Sequence, residues 1–190
     1  MTRTLAALMM TVAAFSAAPA LAQPAKGPSN VVSPQPLPID DSRPRVFLGG
    51  SIDMGGAPDW QAAMTSALAD MDVVILNPRR PDWNPNWRPE ADEPEFRRQV
   101  EWELAALESA DVIVMYFAPG TQSPISLLEM GLHARGGKLI VLAPQGFWRK
   151  GNVDITAQAY GVKQVQSLPE LTAAVREALS AAATQARFAR

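Results

Sequence analysis

The chain has no cysteine and a single histidine, His133, among its 190 residues. Without cysteine there are no disulfides, no thiolate metal site, no cysteine nucleophile and no lipoprotein anchor. One histidine does not build a histidine-rich metal centre, and it argues against a Ser-His-Asp triad. His133 falls four residues after Glu129 on an expected helix, and an ordinary helix histidine is favoured there over a catalytic one. Excess positive charge is also missing. The 17 basic and 19 acidic residues give a net charge of −2, so nothing favours a nucleic acid polymer as partner. Glycine-rich phosphate signatures are absent: Gly49-Gly50 lacks the GxGxxG spacing, and neither GxxxxGK[ST] nor GxSxG occurs. A dinucleotide site, a P-loop and a nucleophile elbow therefore have no support, and no motif suggests a metal or an organic cofactor.

The chain opens on Arg3, an uncharged apolar stretch from Leu5 to Ala18, and the small-x-small run Ala20-Leu21-Ala22. This is the pattern of a cleavable secretory signal over residues 1–22, and its apolar part is too short for a stable membrane anchor. The expected location is secreted or periplasmic. Losing Arg3 leaves 16 basic residues against 19 acidic ones, a charge of −3. Residues 23–44 hold six prolines among small polar residues and read as an extended linker with no site of its own.

Residues 45–190 read as one α/β domain. Short β-branched runs mark strands at Val46–Leu48, Val73–Leu76, Val112–Tyr116, Leu139–Leu142 and Val162–Val165. Between them, helical spacing appears over Asp59–Met71, with Trp60, Met64 and Leu68 on one face. It recurs over Glu95–Ala110, where Val100, Leu104 and Leu107 form the apolar stripe. A third helix starts at Pro124 after N-cap candidates Thr121 to Ser123, turns Ile125, Leu128, Leu132 and Met130 inward, and ends at Gly136-Gly137. An Ala-rich helix from Pro169 to Arg190 closes the chain, with Leu171, Val175 and Leu179 inward. Alternating strands and helices predict a three-layer sandwich around a mostly parallel five-stranded sheet, with the flavodoxin-like order 2-1-3-4-5.

Glu129 does not fit a plain core helix. It stands beside Leu127 and Leu128 in the first turns of a helix that follows a strand, at the sheet mouth where α/β folds bind ligands. Glu103, on the preceding helix, is either its partner or a solvated acid. Two carboxyls at one mouth can divide the cleavage of a glycosidic bond, one attacking the anomeric carbon and the other handling the leaving group's proton. Gly49, Gly50 and Ser51 after the first strand either bring the backbone close to a ligand or simply make a tight turn. Asp53 stands nearby and is a candidate for a sugar or base contact, whereas Asp111, at the start of the central strand, reads as structural. The loop after the second strand, NPRRPDWNPNWRPE, carries Asn77, Arg79, Arg80, Trp83 and Trp87. It either holds a ring and an anionic group or is a Trp-anchored surface loop. Phe47, Trp83 and Trp148 are candidates to stack on a base.

The segments FLGGSID, VVILNPRRPDW, FRRQVEWELAALESADVIVMYF, SPISLLEMGL, GKLIVLAP and GFWRKGNVDI resemble the nucleoside 2-deoxyribosyltransferase family, in its SPI-type branch, over nearly all of residues 45–155. The resemblance implies a flavodoxin-like fold and a homo-oligomer whose subunits complete each other's sites. It further implies base exchange on a 2-deoxyriboside through a covalent deoxyribosyl ester. By position, Glu129 matches the family's nucleophile and Ser123 an Asp or Ser that binds the sugar hydroxyls. Glu103 takes the place of an Asp that contacts the base, and Asn152 falls near an asparagine given by a neighbouring subunit to the sugar's 5′ side. Phe47 replaces an aromatic hydroxyl. The expected partner is thus a small nucleoside or nucleotide, with transfer to a second base or to water. A non-catalytic nucleoside-binding module and an exported NAD-type glycohydrolase stand as alternatives.

Overall fold

The computed structural model describes residues 27–52 and 57–188. The expected signal segment and Asp53 lie outside them. Six strands form one sheet: β1 (Ser29–Val32), β2 (Arg45–Gly50), β3 (Val74–Asn77), β4 (Val112–Tyr116), β5 (Leu139–Leu142) and β6 (Lys163–Val165). Five helices intervene: α1 (Trp60–Ala67), α2 (Pro94–Ser109), α3 (Pro124–His133), α4 (Lys150–Tyr160) and α5 (Leu168–Phe188). The spatial order is β1-β3-β2-β4-β5-β6, with every pair parallel. Five of these strands reproduce the expected flavodoxin-like order. The sixth, β1, comes from the Pro-rich stretch and pairs with β3 along the sheet edge, Asn30 opposite Ile75 and Val32 opposite Asn77.

Side chains of a strand alternate between faces, and here both faces are apolar, so both are covered. Ile113, Met115 and Phe117 join Phe47, Leu76 and Val141 under α2, α3 and α4. Val112, Val114 and Tyr116 join Val46, Leu48 and Ile75 under α1 and α5, where Leu171, Val175 and Leu179 are fully buried. The helix starts follow local chemistry. Asp59 caps α1 by accepting from the Ala62 N–H at 3.0 Å, and Pro occupies the first turn of α2 and α3. After β5 the chain runs through a short loop into α4, whose first turn carries Asn152.

Two helices are rotated from their expected setting. On α3, Ser126, Glu129 and Met130 are buried, while Ile125, Leu128 and Leu132 are 58%, 60% and 60% exposed. On α2, Gln99, Trp102, Ala106 and Leu107 face inward and Leu104 is exposed. The apolar stripe of α3 is therefore a surface, not part of the core. The reason lies at its first turn, which polar contacts fasten to the sheet.

Candidate active site

The mouth of the sheet is made where β2, β3 and β4 end. After Gly50 the chain turns, and Ser51 becomes the centre of a hydroxyl cluster. Its Oγ lies 2.7 Å from Thr121 Oγ1 and 2.7 Å from Ser123 Oγ, and accepts from the Ala118 N–H at 2.8 Å. Ser123 precedes α3 in the left-handed region (φ 47°), a conformation costly for a residue with a side chain. Its hydroxyl does not cap the helix, as the sequence suggests, but joins Ser51 and Thr121. One turn before Glu129, Ser126 Oγ donates to the Gly50 carbonyl at 2.9 Å. The two serines thus set the rotation of α3, and that rotation turns Glu129 inward.

Glu129 is buried, and its carboxyl is pushed up to about 8, first by burial and then by the charge of Glu103. Glu103 is half-buried as a residue, but its carboxyl sits among protein atoms, and burial raises it to about 7. Gln99 opposes that rise by donating from Nε2 to Glu103 Oε1 at 2.9 Å. The solvated-acid reading of Glu103 is thereby replaced: α2 and α3 bring the two carboxyls within electrostatic reach. Two coupled acids raised toward neutrality do not ionise together readily, since the charge on the first makes the second keep its proton. One group is then ionised and able to attack while the other holds a proton to give.

Raised acids bind their protons more tightly folded than unfolded, so their contribution to stability is lost as pH climbs from the unfolded value near 4.5 through the folded one. Glu129→Gln is therefore expected to be more stable than the wild type at pH 9, by roughly a few kcal/mol and with a higher melting temperature, the gap closing toward pH 5. Melts across that range check it; a gap independent of pH would show that burial does not strain this acid.

The other expected site residues divide. Ser51 is fully buried in the hydroxyl cluster, and Ser123 stands at its half-buried rim. Gly49 is a packing position: a Cβ there would lie 2.8 Å from Met115 Sδ. Phe47 is wholly buried in the core beneath it and presents no surface for stacking. Asn77 ends β3 with its Oδ1 accepting from the Arg79 N–H at 3.0 Å. The Arg79 guanidinium ties this loop to the start of α1, donating to the Ala57 carbonyl at 3.2 Å and to Gln61 Oε1 at 3.3 Å. Arg80 is buried, bonded twice to Asp82 at 2.8 Å, and lies over the Trp87 ring, which meets Trp83 edge-on. These contacts favour the Trp-anchored loop over an anion site. Asp111 is structural, accepting from the Arg45 N–H at 2.8 Å at the opposite end of the sheet.

Asn152 is not brought to the carboxyls. It lines a cavity of about 310 Å³ with Leu127, Met130, Gly131 and Trp148. Leu127 and Gly131 lie roughly 160° around α3 from Glu129 at 100° per residue. Residues that the sequence left unremarked include Ser33 and Ser126, and Thr121 reads only as a helix cap; lone hydroxyls carry no spacing signal, and only Ser126, three residues before Glu129, shares its helix face.

Residues 43–147 match the family model described as nucleoside 2-deoxyribosyltransferase like. The chain belongs to that family. The matched stretch runs from just before β2 to the loop after β5 and contains both carboxyls and the hydroxyl cluster. No curated protein matches the chain at a significant level. Among solved structures, a conserved protein from Enterococcus faecalis V583 shares the fold with a TM-score of 0.53 and 11% identity, covering 71% of this chain and 98% of its own. At that identity the likeness speaks for the fold of this family member and for nothing finer.

Proposed function

We propose that the protein cleaves the N-glycosidic bond of 2-deoxyribonucleosides through a covalent ester on Glu129 and passes the deoxyribosyl group to a second base or to water. The observation that carries this is the pair of coupled, buried carboxyls on α2 and α3 at the sheet mouth. A Glu129 carboxylate oxygen attacks the sugar's anomeric carbon as the carbon–nitrogen bond breaks. The bonding pair leaves with the base, and the proton held by Glu103 neutralises it. An incoming base nitrogen, or water, then attacks the same carbon, returns its proton to Glu103 and frees the Glu129 carboxylate. The hydroxyl cluster of Ser51, Thr121 and Ser123 meets the sugar, with Ser123 as its rim. Incubation with deoxyinosine or thymidine, with and without an acceptor base, tests the reading. Exchange defines a transferase and base release alone a hydrolase; neither, with ligand still bound, leaves a binding module.

The site is completed by a second copy of the chain. The exposed Ile125, Leu128 and Leu132 beside Glu129 call for cover, and Asn152 is exposed on α4, available to a neighbour's carboxyls. Leu128→Glu is expected to shift the protein toward monomer in sizing and light scattering and to lower turnover at least tenfold. A monomeric wild type with full activity would refute this. The secretory pattern of residues 1–22 favours an exported enzyme, which N-terminal sequencing of the mature protein checks.

A further inference from the structure

The stretch ahead of the matched family core is linked to the carboxyl pair through one side chain, Gln99. Ser33, just after β1, is buried, and its backbone N–H donates to the Asn77 carbonyl at 3.0 Å. Its Oγ donates at 2.6 Å to Oε1 of Gln99, also buried. The Gln99 amide has its remaining capacity committed: Nε2 donates to the Pro78 carbonyl at 3.0 Å and to Glu103 Oε1 at 2.9 Å. Turning that amide over would set its oxygen against the Pro78 carbonyl and the Glu103 carboxylate, both acceptors, so the orientation shown is the satisfied one. Two residues further on, the Gln35 carbonyl accepts from Trp102 Nε1 at 2.7 Å. Residues 33–35 therefore grip α2 at Gln99 and Trp102, within the turn that leads into Glu103.

We infer that Gln99 and Ser33 are positioning residues for Glu103, so that the segment before the family core sets the orientation and charge state of the reactive pair. The inference rests on the reading of Glu103 as the proton-handling partner of Glu129. A neutral amide that can only donate favours the carboxylate over the acid. Without that donor Glu103 titrates higher and its carboxyl is no longer held in place toward the site. The groups acting on Glu103 are Gln99 on its own helix and Glu129 across the site on α3.

The test follows the carboxyl resonance of Glu103, assigned with Glu103→Gln, by carbon-13 NMR across pH, beside kcat and KM for base exchange. In Gln99→Met, which keeps the volume and loses the donor, Glu103 is expected to titrate roughly one pH unit higher. Ser33→Ala is expected to move it the same way by less, and Ser33→Thr to rescue it. In Gln99→Met kcat falls about tenfold with KM little changed, the split expected when a proton donor is misplaced. An unmoved titration in folded Gln99→Met and Ser33→Ala overturns the inference, as does a lower melting temperature without a titration change, which would make Gln99 a packing residue. If the wild type shows no turnover while the titration still moves, the deoxyribosyl reading fails and the coupling to Glu103 stands.

Discussion

Glu129→Ala is expected to lower deoxyribosyl transfer by about four orders of magnitude, with the loss in kcat and KM little changed. The reason is chemical as much as positional. The ester needs an oxygen that both attacks and leaves, and neither alanine nor the amide of Glu129→Gln supplies one. Glu103 does not replace it, since it stands on α2 with its carboxyl held by Gln99 of the same helix. The Gln variant keeps the packing of α3, so its near-inactivity combined with better stability at high pH would separate loss of the nucleophile from loss of the fold. Single-turnover base release, together with intact mass before and after substrate, provides the measurement. A wild-type rate in Glu129→Ala would move the chemistry elsewhere.

Gly50→Ala is expected to have the largest effect on folding, about 4 kcal/mol or more, a large part of a domain's whole stability. Gly50 sits at φ 127°, and a Cβ there would lie 2.3 Å from the Tyr116 carbonyl oxygen and 2.6 Å from its nitrogen. Both are backbone atoms of the central strand, opposite Gly50 in register, so neither can give way. The same substitution would displace the carbonyl that receives Ser126 and with it the rotation of Glu129. A melting temperature lower by roughly 10 °C or more, or failure to accumulate as soluble protein, is the expected readout. Gly131→Ala on α3, where a Cβ meets nothing within 4 Å, is the matched control and should leave stability unchanged or slightly improved.

Much of this molecule is legible in its residue order. Apolar runs as short as Val112–Tyr116 and Leu139–Leu142 are strands because they are β-branched, bounded and too brief for a buried helix. Alternation with helices then dictates a parallel sheet. β1 escaped that logic: only Val31 and Val32 mark it, amid prolines and polar residues, and an edge strand with one neighbour needs little apolar pattern. Helix α4 escaped as well, because Arg149, Lys150, Gly151 and Asn152 give its start a loop-like composition.

The residue order alone determined that Glu129 is an anomaly at the entrance to a helix behind a strand, and that Glu103 belongs to the helix before it. It could not decide which way either helix faces. Counting apolar residues turns Ile125, Leu128 and Leu132 inward, because periodicity weighs hydrophobicity and knows nothing of anchors. The folded chain turns them out, since hydrogen bonds from Ser126 to Gly50 and between the Ser123 and Ser51 hydroxyls hold the first turn of α3 against the sheet. Those partners lie more than 70 residues apart in the chain, and only the closed sheet brings them together.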